Sequence, residues 1–352
     1  TMTVPSRRRS KLNLLPCALI AIPLAFASPA GAQSNEDCFM CHEDPELVGK
    51  RAGREISVFV HPERYGASIH SEFACIDCHA DLDGAELPHE EELEPADCAM
   101  CHDDTAEELA AGPHGKWAPE EGSPAAACVS CHSAHDVLPA SEPASRMHRS
   151  RVDDLCSQCH DDALNAVHMS PHGPVDDAGE PAATCVECHT GHGVVAPRDP
   201  IGQLATCGGC HQEQEQAHRR SLHGRAAVNG DALAPSCVTC HDHHAILPHA
   251  DQSSPTSIVN TPLLCGRCHR EGSEVSLQHD IPQDRILENF SMSVHGEGLF
   301  KSGLTVTAVC TSCHTSHDIL DHNHPDSSIN RNNVARTCMQ CHSRIEEVHV
   351  QV

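Results

Sequence analysis

The chain has 352 residues, a formal charge of −27 with histidine neutral, and only 2% aromatic residues. Such acidity argues against nucleic acid and anionic lipid as partners, and for a basic partner or plain solubility. Trp117, Tyr65 and six Phe are too few to fill an ordinary core of this length.

Residues 1–32 read as a signal peptide. Arg7, Arg8, Arg9 and Lys11 form the positive region, Leu12 to Ala27 the apolar region, and Ala30-Gly31-Ala32 a small-residue cleavage site. The apolar run holds Pro16 and Pro23 and falls short of the roughly 20 residues a spanning helix needs. An uncleaved N-terminal anchor is the alternative. Cys17 lies in this region without a lipidation context and leaves with it. Residues 33–352 then form one exported domain, periplasmic or at the cell surface, whose formal charge becomes −31 once the four basic residues of the leader are removed.

From Cys38 onward the sequence Cys-x-x-Cys-His recurs eleven times. The cysteines are Cys38 and Cys41, Cys75 and Cys78, Cys98 and Cys101, Cys128 and Cys131, Cys156 and Cys159, Cys185 and Cys188, Cys207 and Cys210, Cys237 and Cys240, Cys265 and Cys268, Cys310 and Cys313, and Cys338 and Cys341. They include every cysteine except Cys17. The spacing is that of c-type haem attachment: two thioethers hold the vinyl groups, and the adjacent His is placed under the iron. The proximal ligands would be His42, His79, His102, His132, His160, His189, His211, His241, His269, His314 and His342. Structural zinc also uses paired cysteines, but does not require a His directly after each pair. Redox disulfides use the motif too, yet this chain lacks a thioredoxin-like pattern around it.

The segments alternate between two types. Those at Cys128, Cys185, Cys237 and Cys310 continue as Cys-His-x-x-His, adding His135, His192, His244 and His317. Residues three apart share one face of a helical turn, so the second His cannot reach the iron of the first and must ligate a neighbouring haem. The segments at Cys98, Cys156, Cys207 and Cys265 are plain, and each is followed by a His-Gly, at His114, His172, His223 and His295. The Gly is expected to let backbone pass close to a flat ring. His70, followed by Ser71, joins this set; His89 in Leu87-Pro88-His89 and His349 complete eleven distal candidates. His61, His148, His168, His218, His243, His249, His279, His322 and His324 remain as surface residues or propionate partners, with His148 and His279 able to exchange roles with His349.

At about 29 residues per haem, the expected fold is short helices and irregular loops wrapped around a chain of eleven covalently bound haems, with little or no β-sheet. Met40, Met100 and Met339 lie inside attachment segments, so bis-His ligation and low potentials are expected throughout.

On these residues the chain, over 36–352, resembles the multihaem c-type cytochromes with doubled CxxCH motifs, found in the respiratory and extracellular electron transfer of anaerobic and metal-reducing bacteria. The resemblance implies an electron carrier between a membrane quinol or cytochrome donor and a periplasmic or extracellular acceptor. The stretch from Val58 to His79 with Leu87-Pro88-His89 is similar to relatives that work with a membrane-bound cytochrome b or quinone-reactive subunit. In some relatives a Val-His-Val like that at 348–350 precedes transmembrane helices, and others form homo-oligomeric filaments. The competing expectation is a multihaem reductase or oxidoreductase acting on nitrogen or sulfur compounds at one open iron. Nitrite reductases of this kind commonly carry Lys in place of the His, and hydroxylamine enzymes use a tyrosine, for which Tyr65 is the one candidate.

Overall fold

A computed structural model describes residues 33–343 apart from 52, 117–123, 174–181, 196, 280, 282 and 284. The leader, Trp117 and His349 lie outside the described residues. Within them the chain is a succession of short helices and irregular loops with one two-stranded antiparallel sheet. Strand β1 (Val48–Arg51) pairs with β2 (Arg54–Ser57) in register Val48 to Ser57. No described helix is long and apolar enough to cross a membrane.

Six attachment segments end their helices in one of two ways. In three plain segments the proximal His itself leaves the helical region, with φ/ψ of −119/45 at His102, −121/43 at His160 and −99/55 at His211. A new helix starts immediately, as in Asp103–Ala111 and Gln212–Arg220, and runs to the next His-Gly. In three doubled segments the break falls one residue later, where Ser133, Asp242 and Thr315 take φ of 66, 68 and 65. L-residues adopt this conformation only when their surroundings impose it. It reverses the chain directly after the proximal His and sends the second His elsewhere.

The His-Gly segments are built alike. Ser221 Oγ accepts from Gly224 N at 3.0 Å and Ser293 Oγ from Gly296 N at 3.1 Å. Ser170 Oγ accepts from His172 N at 3.1 Å, and Ser68 Oγ from His70 N at 3.2 Å. Ser68, Ser170 and Ser221 are buried, which fixes the following His against the end of the preceding helix. The glycine answers to backbone as well. A Cβ on Gly224 would lie 1.9 Å from His218 O, and one on Gly296 2.0 Å from Phe290 O; Gly115 and Gly173 meet the carbonyl six residues earlier in the same way. This backbone contact by itself demands the glycine. Gly224→Ala should therefore destabilise the chain by about 1–3 kcal/mol, read as a lowered midpoint in denaturant titration of the haem-loaded protein.

The apolar interior is small. Among the described residues the buried hydrophobic side chains are Val152, Leu204, Ala227, Leu299, Val309 and Leu320, while Val294, Val306 and Leu277 are exposed. Buried polar residues are mostly Ser and Thr that serve the backbone: Ser145, Ser254 and Ser327 donate to the carbonyls of Leu138, Leu247 and Leu320, each seven residues earlier.

Candidate functional site

Histidine rings face one another along the chain. His42 and His89 have ring centroids 5.8 Å apart, His79 and His135 6.1 Å, and His70 and His102 6.1 Å. His132 and His192, His114 and His160, and His172 and His211 each lie 6.0 Å apart. His189 and His244 lie 6.1 Å apart, His241 and His317 5.9 Å, His223 and His269 6.0 Å, and His295 and His342 6.1 Å. Each pair joins one His from a Cys-x-x-Cys-His with one from the candidate distal set. An imidazole–metal bond is roughly 2.0–2.1 Å, which puts two rings on opposite sides of one ion with centroids roughly 6.3 Å apart. The gaps match that spacing.

The partner rule differs between segment types. Numbering the segments in chain order, the third, fifth, seventh, ninth and eleventh face His70, His114, His172, His223 and His295, all earlier in the chain. The His-Gly that follows one plain segment thus serves the next. The second, fourth, sixth and eighth face the second His of the doubled segment two places later. His314, in the tenth, has no ring partner among the described residues.

Backbone contacts hold these long-range partners. Ile69 N donates to Val137 O at 2.9 Å and Leu222 N to Ile319 O at 2.8 Å, tying the residue before one distal His to the residue two beyond another. Arg64 with Asp136 at 3.9 Å and Arg220 with Asp318 at 3.5 Å flank the same two junctions. At the junction of His114 and His192, Pro113 has no N–H to offer. There Gly112 packs so closely on Gly193 that a Cβ would lie 2.4 Å from its carbonyl oxygen.

The cysteines form a second, continuous series. Cys75 lies beside Cys38, and burial followed by this neighbour pushes its thiol up to about 12. Cys128 beside Cys98, after burial, raises Cys98. The thiols of Cys156 and Cys185, Cys207 and Cys237, and Cys265 and Cys310 hydrogen-bond, which raises the second-named donor Cys185, as well as Cys207 and Cys265, and lowers Cys156, Cys237 and Cys310. Between these couples, Cys78 feels Cys98, Cys131 feels Cys156, Cys188 feels Cys207, Cys240 feels Cys268 and Cys313 feels Cys338. All eleven segments are linked without a gap. Side chains brace several couples: Asn35 Oδ1 accepts from Cys75 N at 2.8 Å, Asp153 Oδ1 from Cys185 N at 2.8 Å, and Gln203 Oε1 from Val238 N at 3.1 Å.

Burial lowers the pKa of His79, His132, His135, His172, His189, His241, His244, His269, His314 and His317, and takes His223 to about 4. Neutral imidazole, the form that donates a lone pair to a metal, is favoured in each. Buried ring nitrogens without a partner occur at His61 and His79 Nδ1, His218 Nε2 and His269 Nδ1. Of the remaining histidines, His148 turns to Ser150, His279 to Asp231, His243 to Asp242 and His322 to Asp321. Tyr65 donates its hydroxyl to Phe73 O at 2.6 Å.

No group of three or more His, Cys, Asp or Glu converges on one point among the described residues. Tetrahedral zinc needs four such donors; two facing rings with a thiol pair directly before one of them would suit a group held from both sides. No family model, curated protein or solved structure matches the chain.

Proposed function

We propose that this chain is an electron-transfer protein of the multihaem c-type cytochrome kind, carrying eleven covalently attached haems. The observation that carries the reading is the set of ten ring pairs, 5.8 to 6.1 Å apart, each with a Cys-x-x-Cys directly before one member. When bound, haem supplies reversible one-electron exchange at iron. The cysteines fix each group at its edge and the histidines hold both faces. His349 is the proposed partner of His314.

With both faces taken, the residues leave substrate no coordination position at the ten paired sites, and Tyr65 is committed to backbone. The electron enters from a membrane quinol or cytochrome b-type donor and leaves to a periplasmic or extracellular acceptor. Assembly of copies into a homo-oligomer or filament is compatible with this role. The acidic surface favours a basic patch on whichever protein docks.

Purified holoprotein should contain eleven haems by pyridine haemochrome assay and mass, and its oxidised electron paramagnetic resonance spectrum should integrate to eleven low-spin irons. A high-spin iron that shifts on adding nitrite or hydroxylamine would replace the carrier reading with the enzyme one.

A further inference from the structure

The one β-hairpin among the described residues stands beside the first attachment segment. His42 Nδ1 lies 2.8 Å from Val58 O, and His89 Nδ1 2.7 Å from Glu90 O. A carbonyl only accepts, so both Nδ1 atoms carry the proton, which leaves the lone pair of each ring at Nε2. These rings are 5.8 Å apart and within 6° of parallel. Among the described residues no other paired histidine has an acceptor at Nδ1, and at His79 and His269 that atom is buried without one. An imidazole whose far N–H is hydrogen-bonded is a stronger donor and stabilises the more oxidised metal.

The hairpin holds both acceptors. Val58 N donates to Leu47 O at 3.3 Å and Val60 N to His42 O at 2.7 Å, which holds Val58 O beside Nδ1 of His42. Lys50 Nζ reaches Glu91 at 2.7 Å and Gly53 N reaches Glu92 at 3.1 Å, which tethers the segment bearing Glu90. The half of the chain that holds this site is also the more acidic one. Residues 33–176 hold 30 acidic and 8 basic residues, against 20 and 11 in residues 177–352. A more negative setting also favours the oxidised state.

We propose that the Val48–Ser57 hairpin is a tuning element, with Val58 and Glu90 as positioning residues, that makes the site of Cys38, Cys41, His42 and His89 the lowest-potential site of the chain. This rests on the haem reading above. A lowest-potential site at the N-terminal end suits that end to a strongly reducing donor.

The test is a spectroelectrochemical titration of the full haem-loaded chain. In His89→Met the lowest one-electron step disappears from the bottom of the curve and one step reappears higher, whereas His223→Met leaves the lowest step in place. The double variant Glu43→Gln/Glu90→Gln, which removes the carboxylates that directly follow His42 and His89 in the chain, keeps every ligand and backbone acceptor and should shift only the lowest step upward. If the lowest step stays put in His89→Met, or the double variant moves a different step or none, the tuning proposal is overturned. Failure of the haem reading has a separate signature: unaltered protein that takes up no haem and shows no titratable absorbance.

Discussion

Replacing His244 with Met raises the midpoint potential of the site anchored by Cys185 and Cys188, and leaves the site anchored by Cys237 and Cys240 unchanged. His244 follows Cys240 by only four residues, so its own segment is the intuitive target. The chain reverses at Asp242, however, with φ of 68, and the His244 ring faces His189 at 6.1 Å. Its neighbour His241 faces His317 at 5.9 Å. Thioether sulfur donates less to ferric iron than imidazole does, so a single His-to-Met exchange moves one step by a sizeable part of the about 0.8 V range that axial ligands span. The titration steps of His244→Met and His189→Met should alter the same spectral component, and those of His241→Met another. Coincidence of the His244 and His241 components would break the partner rule.

The second large effect is on folding. Chain made without haem attachment should show no cooperative thermal transition and weak far-UV circular dichroism. Six buried hydrophobic side chains among the described residues are the whole apolar interior the polypeptide offers. The five larger than alanine contribute about 1.5–3 kcal/mol each, a gain that the ordering of one or two residues cancels at about 1–2 kcal/mol per residue. Eleven large apolar groups, each tied by two thioethers and two imidazoles, would supply both the burial and the cross-links. A sharp melt of the haem-free chain would show that the Ser and Thr networks around Ser145, Ser254 and Ser327 suffice by themselves.

The hairpin shows where reading the sequence stopped. Little or no sheet was expected, and among the described residues only Val48–Arg51 and Arg54–Ser57 form one. Those residues alternate no apolar face, since all four residues of the second strand are exposed. The pairing depends on Lys50 and Gly53 meeting Glu91 and Glu92, some forty residues away. The glycines of the His-Gly segments were legible as close approaches, but one partner in that approach was not. That partner is a carbonyl six residues back, visible only once the preceding helix is placed.

What the sequence determined by itself is local: the eleven Cys-x-x-Cys-His segments, the alternation of plain and doubled types, and the two populations of histidine. Attachment spacing and the three-residue offset within a helical turn are short-range, so composition and order suffice to read them. Only the tertiary structure decided which rings oppose which. His79 meets His135 and His241 meets His317 because main-chain bonds such as Ile69 to Val137 and Leu222 to Ile319 bring segments two places apart side by side. Every candidate distal histidine has the same side chain, and nothing in a histidine's neighbours states the distance to its partner; packing of the backbone supplies that choice.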